Sequence, residues 1–186
     1  MSFNGSNQYV DAGNAASLRV ELGSFTIEVW IKPSSNIPLN ERFTILAFGG
    51  PGILGGFMDL PDDNGVEGYR FWNFPGGYKY IPPGNLISLD WTHFVVGWNK
   101  PATTLTIYIN GVAKQSWTLA SVDTSTEPLK IGKRTEGMYF NGSIDEVRIY
   151  SQALTAMEIQ KHYAEGLGKH QVIVKSSKCK VKSCSY

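Results

Sequence analysis

The chain has 186 residues and a mass of 20.5 kDa, enough for one domain with a sizeable core. Its 12% aromatic and 18% charged residues, together with 20 glycines and 9 prolines, are typical of a protein built from strands and turns. The formal net charge of +1 argues against a nucleic-acid partner, and no apolar run approaches the roughly 20 residues of a membrane-spanning helix, so we expect no membrane insertion of this fragment.

Hydrophobic patterning predicts a series of strands along the chain. Residues 25–33 alternate between apolar and polar side chains, and 43–48 is a continuous apolar run that ends before two glycines. Further strands are predicted at 69–74, 91–98, 105–109 and 112–117. The dipeptide Asn110-Gly111 separates the last two, and it favours a two-residue hairpin turn because both positions need a positive φ.

One helix is predicted near the C-terminus. Its apolar positions lie at approximately helical spacing: Leu154, Met157, Ile159 and Tyr163. Thr155 and Glu158 have the spacing of a capping box, which predicts the start of the helix. Gly166 and Gly168 predict its end.

The residues from 169 to 186 are interpreted as a flexible basic tail, and residues 2–168 as one β-sandwich domain. The tail contains five lysines and no acidic residue, whereas the rest of the chain has 12 basic and 16 acidic residues. The two cysteines, Cys179 and Cys184, could close a small loop in an oxidising compartment, and the sequence leaves their pairing open. No signal peptide is visible, which fits either a cytosolic protein or a domain taken from a longer secreted chain; we favour the second.

A short repeat links the two ends of the domain. The sequence Phe-Asn-Gly-Ser occurs at 3–6 and again at 140–143, where it leads into an alternating segment. In that segment Val147 and Ile149 share one face, opposite Glu146, Arg148 and Tyr150, as in a strand buried on one side. A matched pair of such strands predicts a β-sandwich whose first and last strands are neighbours.

Six segments in order resemble the laminin-G-like branch of the concanavalin A-like lectin/glucanase superfamily, over residues 2 to about 166. They begin at Phe3, Phe25, Trp91, Leu105, Leu129 and Phe140. The resemblance implies an all-β jelly roll of two curved antiparallel sheets, to which the pattern above adds one short C-terminal helix. It also implies carbohydrate or protein binding in extracellular multidomain proteins, frequently with a bound calcium ion.

The same resemblance implies a structural calcium site. Asp145 falls at the position of the ligand in the last strand, and Asn4 and Gly5 fall where ligands from the first strand would lie. Many relatives have Asp where this chain has Asn4, and losing that carboxylate would weaken the site. In the alternative interpretation, Asp145 only hydrogen-bonds the neighbouring turn. The acidic loop 59–65 lacks EF-hand spacing and is interpreted as a solvated turn.

An aromatic segment between residues 69 and 80 is the candidate ligand site. Sugars stack their C–H faces on aromatic rings, while polar side chains bind their hydroxyls. Because one face of a strand is buried, only half of these rings can be accessible. We predict that the accessible, ligand-binding residues are Arg70, Trp72, Tyr78 and Tyr80. The alternative is an aromatic core with no ligand.

Features of an enzyme are missing from the sequence. The glucanases that this chain resembles have a strand with the motif Glu-x-Asp-x-Glu. This chain lacks the motif. Asp145 and Glu146 are adjacent and are expected on opposite faces of their strand. His93 is interpreted as a packed residue, and Glu28 with Arg148 as a structural cross-strand pair.

These observations predict a non-catalytic carbohydrate-binding or adhesion module of an extracellular or cell-surface protein. Its partner would be a glycan or a surface protein, and the module would be part of a larger multidomain chain. Two alternatives remain: a structural head domain of a pilin-like surface filament subunit, and a divergent glycoside hydrolase.

Overall fold

A computed structural model describes residues 1–34, 43–48, 57–60, 69–74, 77–81, 88–122, 125–134 and 138–170. Within these residues the chain forms two six-stranded antiparallel sheets and a helix near the C-terminus. The sandwich architecture confirms the all-β jelly roll predicted from the sequence. Residues 171–186 of the tail, with Cys179 and Cys184, whose pairing the sequence left open, lie outside the described residues.

The strands are β1 (Ser2–Asn4), β2 (Val10–Gly13), β3 (Phe25–Pro33), β4 (Phe43–Phe48), β5 (Phe57–Leu60), β6 (Tyr69–Phe74), β7 (Gly77–Ile81), β8 (Thr92–Asn99), β9 (Thr104–Ile109), β10 (Val112–Thr118), β11 (Leu129–Ile131) and β12 (Asn141–Tyr150). The first sheet has the order β1-β12-β3-β8-β9-β10, and the second β2-β11-β4-β5-β6-β7. Two short 3-10 helices, Ala16–Leu18 and Val20–Leu22, precede β3.

The hydrophobic core lies between the two sheets. Alternate residues of β3 and β8 are fully buried in it, and β4 contributes Ile45, which is also inaccessible to solvent. The main core residues of these three strands are Phe25, Ile27, Val29, Ile31, Phe94, Val96, Trp98, Ile45 and Leu46. The residues between them, such as Trp30 and His93, therefore lie on the outer face of the first sheet.

The first and last strands are neighbours, as the Phe-Asn-Gly-Ser repeat predicted. Asn4 lies opposite Asn141, and the N–H of Gly5 donates to the carbonyl of Phe140 at 3.1 Å. Gly142 has a φ of +141°, and a Cβ there would lie 2.3 Å from the carbonyl oxygen of Lys32. The repeat is thus explained by packing of the strand ends.

The β9–β10 connection is the tight hairpin predicted from Asn110-Gly111. The φ angles of the two residues are 52° and 75°. The register shifts between Ala113 and Gln115, so Lys114 forms a bulge in β10, which is an edge strand of the first sheet.

Helix α1 (Ala156–His170) packs on the outer face of the first sheet. The predicted capping box is present, because the N–H of Glu158 donates to Thr155 Oγ1 at 3.2 Å and the N–H of Thr155 donates to Glu158 Oε2 at 2.7 Å. Among the described residues, no helix is long and apolar enough to span a bilayer.

The predicted end of the helix was wrong. The helix continues through both glycines to His170, so Lys169 and His170 belong to it rather than to a flexible tail. Gly166 is buried, and a Cβ at this position would lie 2.3 Å from Trp30 Cζ2. Glycine is present there because it allows the helix to approach the indole ring, not because it terminates the helix.

Candidate functional site

The four residues predicted to bind a ligand occupy positions on one face of the β6–β7 hairpin. Arg70 lies opposite Tyr80, and Trp72 lies opposite Tyr78. Ile81, next to Tyr80, is buried in the core, so the alternate positions lie on the opposite, outer face of the second sheet. We call this set of four positions the aromatic face. Ligand binding by these residues stays a prediction.

The strand register extends the aromatic face across the second sheet. Trp72 on β6 lies opposite Phe57 on β5, which lies opposite Ala47 on β4. The row continues from Ala47 to Lys130 on β11 and ends at Asp11 on β2. Sequence reasoning missed Lys130 and Asp11, because they become neighbours of Ala47 only through the pairing of β4, β11 and β2. No local pattern in the sequence indicates that pairing.

A second row has an acidic and a basic residue at facing strand positions. Asp59 lies opposite Arg70 on the neighbouring strand, and Thr44 continues the row on β4. Asp59 belongs to β5, although the sequence placed it in a solvated turn; residues 61–65 of that turn lie outside the described residues. An acidic, a basic and a hydroxyl-bearing residue therefore occupy adjacent positions beside the aromatic ones.

The residues of the predicted calcium site are not brought together. Asn4 lies opposite Asn141, four residues before Asp145 on the same strand, which separates the two by about 13 Å. Asp145 Oδ1 accepts the N–H of Glu146 at 2.9 Å, and Asn4 Oδ1 accepts that of Ser6 at 3.0 Å. One ion cannot contact Asn4 and Asp145 at this separation.

No group of three or more His, Cys, Asp or Glu suited to a metal ion occurs in the described part of the chain. Binding of a structural calcium ion by this chain stays a prediction. Gly5 has a φ of +72°, and its Cβ position would lie 2.9 Å from Asn141 Cβ, so packing already accounts for this glycine.

The outer face of the first sheet differs because α1 lies on it; we call it the helix-covered face. Glu28, only 1% exposed, lies opposite Arg148, and Arg148 Nη1 is 3.7 Å from Glu28 Oε2. His162 of the helix places Nδ1 2.9 Å from Glu28 Oε1. The predicted Glu28–Arg148 pair is confirmed, and His162 is a partner that the sequence did not reveal.

The ion pairs continue along β12 to the end of the helix. Arg148 Nη2 donates to Glu146 Oε2 at 2.8 Å, and Lys169 of α1 pairs with the other oxygen of Glu146. Although burial favours the neutral carboxyl, the hydrogen bond from Lys169 and the charge of Arg148 lower the pKa of Glu146. Polar contacts therefore connect the helix to the sheet at both His162 and Lys169.

A bulge in β12 corrects one expectation about this strand. Asp145 lies opposite Trp30 and Arg148 opposite Glu28, with an extra residue in between, and Glu146 has a φ of +47°. Asp145 and Glu146 were expected on opposite faces. The bulge instead places both on the side of the sheet that α1 covers.

An aromatic stack forms the centre of the helix-covered face. Trp30 stacks on His93 with ring centroids 5.1 Å apart, and on Tyr163 of the helix at 5.8 Å. His93 is 1% exposed, which confirms that it is a packed residue. Burial, with smaller contributions from the charges of His162 and Arg148, lowers the pKa of His93 from 6.5 to about 4.

Comparison with known proteins identifies the family. A sequence profile described as the concanavalin A-like lectin/glucanases superfamily, of laminin G type, matches residues 4–160. The chain belongs to this superfamily. Over 136 residues this laminin-G-like domain is 31% identical to the human adhesion G-protein coupled receptor D1, a match that covers 68% of the chain and 15% of the receptor.

Solved structures share the fold of this laminin-G-like domain. A putative carbohydrate binding protein from Bacteroides ovatus aligns with a TM-score of 0.66 and 20% identity, over 86% of the chain and 46% of that protein. The CBM40 of a Ruminococcus gnavus sialidase, bound to α2,3 sialyllactose, aligns with a TM-score of 0.66 and 16% identity, over 88% and 94% of the two chains. At these identities the similarity establishes the fold alone.

Proposed function

We propose that this laminin-G-like domain is a non-catalytic glycan-binding module of an extracellular or cell-surface protein. The observation that carries the proposal is the register of β6 and β7. It places Trp72, Tyr78 and Tyr80 beside Arg70 on the outer face of the second sheet. Aromatic residues, which suit the C–H faces of a sugar, thus occupy strand positions next to a basic residue, which suits its hydroxyls.

The relatives support a binding role. One similar structure is named a putative carbohydrate binding protein, another is a carbohydrate-binding module with a bound sialylated sugar, and the human relative is an adhesion receptor. The chain spans only 15% of that receptor, which fits a module within a larger multidomain chain. A surface protein that displays the glycan would then be the natural partner.

The positions of the buried acids support a role without catalysis. Glycoside hydrolysis uses two carboxyl groups about 5 to 10 Å apart across a cleft that admits the substrate. Glu28 is buried beneath α1 and bound to His162, while Glu146 is paired with Arg148 and Lys169. These carboxylates stabilise the attachment of the helix instead of facing a substrate cleft.

Replacing Trp72 with Ala tests the proposal. A broad glycan array would first select a glycan that binds the unmodified chain. We expect Trp72→Ala to weaken binding to this glycan at least tenfold, which corresponds to about 1.4 kcal/mol, because the stacking surface is lost. Trp72→Phe retains a ring and should retain most of the affinity. Binding would be measured by isothermal titration calorimetry against the same purified oligosaccharide.

The control is Val112→Ala, which removes an exposed apolar side chain from the edge of the other sheet. It should bind like the unmodified chain, and thermal melts should show that both Trp72 variants remain folded. Unchanged binding by a folded Trp72→Ala variant would exclude the aromatic face as the glycan site.

A further inference from the structure

A cleft of about 560 Å³ lies on the outer face of the first sheet, beyond the C-terminal end of α1. It belongs to a different sheet from the aromatic face, and the proposed function does not use it. Its lining includes Ser2, Lys32, Ser34, Trp91, Asn141 and Ser143.

Three polar side chains form a row along the floor of the cleft. Ser2 on β1 lies opposite Ser143 on β12, which lies opposite Lys32 on β3. Adjacent strands are about 4.8 Å apart, so the row is about 10 Å long. The neighbouring residues Ile31 and Ile144 are fully buried in the core, so the row lies on the outer face of the sheet.

Trp91 continues this row at its far end. Ile31 pairs with Thr92, so Trp91 lies at the level of Lys32 just before β8 begins. Its indole ring is partly exposed, and the imidazole of His170 packs against it with ring centroids 4.5 Å apart. The ring is therefore held in place while it offers apolar surface to the cleft.

The rim of the cleft supplies further hydrogen-bonding groups in a fixed arrangement. Ser34 Oγ donates to Asn141 Oδ1 at 2.7 Å. This bond occupies the carbonyl oxygen of the amide and leaves the two N–H donors of Asn141 for another acceptor. Hydroxyls, an amide and an aromatic ring that converge on one cleft are the groups that bind a sugar.

The charge of the cleft lining indicates the charge of the sugar that would bind there. Lys32 is exposed, and it is the sole charged residue among those described as lining the cleft. It forms no ion pair with any part of the chain that the structure describes. Asp90 lies outside the lining, and Asp145 belongs to the next row towards α1, where its Oδ1 accepts the N–H of Glu146. Within the described part of the chain, the cleft therefore presents one unpaired cation.

We propose that this cleft is a second saccharide-binding site, specific for a sugar that carries a carboxylate. The sugar ring stacks on Trp91, its carboxylate pairs with Lys32, and its hydroxyls bond to Ser143 and Ser2. A charge-assisted hydrogen bond from Lys32 distinguishes this ligand from its uncharged analogue. The site acts independently of the aromatic face, because the two lie on different sheets.

The test compares acidic oligosaccharides with their methyl esters, in which a neutral ester replaces the carboxylate. The panel contains galacturonate, glucuronate and sialic acid oligosaccharides, titrated into the full chain by calorimetry and by NMR of the indole signals. We expect at least one acidic member to bind ten or more times more tightly than its ester and to shift the Trp91 signal. Lys32→Gln should remove this preference, and Lys32→Arg should retain it.

Variants of the two sheets separate this site from the proposed function. Trp72→Ala should leave the preference for the acidic sugar unchanged, even where it abolishes binding at the aromatic face. Loss of the preference in Trp72→Ala with retention in Lys32→Gln would overturn the second site. So would equal binding of acid and ester by the unmodified chain, or no binding of any acidic member of the panel.

Discussion

The two outer faces of the sandwich carry similar sets of residues, and helix α1 packs on the first of them. Both contain aromatic rings beside an acidic and a basic residue: Trp30 with Glu28 and Arg148 on the first sheet, and Trp72 with Asp59 and Arg70 on the second. On the first sheet α1 packs over these residues, and its His162 bonds to Glu28. The comparison teaches that an aromatic and charged strand face does not by itself identify a binding surface, because another element of the chain can cover it.

The largest expected effect is the removal of the buried carboxylate on the helix-covered face. Glu28→Ala leaves Arg148 and His162 without their shared partner, so we expect the free energy of unfolding to fall by about 3 kcal/mol. Urea denaturation would measure the change. Glu165→Gln removes an exposed carboxylate that pairs with Lys161 across one helical turn, and it should change the stability by less than 0.5 kcal/mol. Equal effects of the two variants would contradict the structural role of Glu28.

A dependence of stability on pH is expected from His93. Its pKa is about 4 in the folded chain and near 6.5 when unfolded, so between these values the unfolded chain binds more protons. The free energy of unfolding should therefore fall as the pH falls from 6.5, by about 2 kcal/mol at pH 5. Urea denaturation at several pH values would measure this slope.

His93→Phe is the matched variant for that measurement. It keeps a ring against Trp30 but cannot be protonated, so its stability should change less between pH 6.5 and pH 5. His162, which faces Glu28, is present in both chains. An identical slope for the two chains would show that His93 does not control it.

A smaller loss of stability is expected where the helix approaches the indole ring. Gly166→Ala would place a Cβ 2.3 Å from Trp30, and we expect a destabilisation of about 1 to 3 kcal/mol with a lower melting temperature. Gly168→Ala meets no atom within 4 Å, so it should be neutral or stabilising by up to about 1 kcal/mol. If both variants behaved alike, close packing at Gly166 would not explain the length of the helix.

The sequence predicted the local elements well because their signals are local. The alternation in β3, the Asn110-Gly111 turn and the Thr155–Glu158 capping box each depend on residues close together in the chain. The adjacency of β1 and β12 was also predicted, since their paired ends share a sequence.

The errors concern contacts between distant segments. Gly166 looked like a helix end because its partner, Trp30, is more than a hundred residues away. The separation of Asn4 from Asp145 follows from the register of β1 on β12, which the resemblance did not specify. The helix that covers Glu28 likewise became evident only from the structure. The four residues of the aromatic face were chosen by alternation, and the test of Trp72 is needed to assign them a ligand.

The bulge at Lys114 has a consequence for a domain displayed at high density on a surface. β10 has seven residues, is mostly exposed and has an unpaired edge, so it could add to the edge of a neighbouring copy. The bulge interrupts the regular spacing of its backbone donors and acceptors and places a lysine at the interruption. Crowded copies of the domain can thus remain separate.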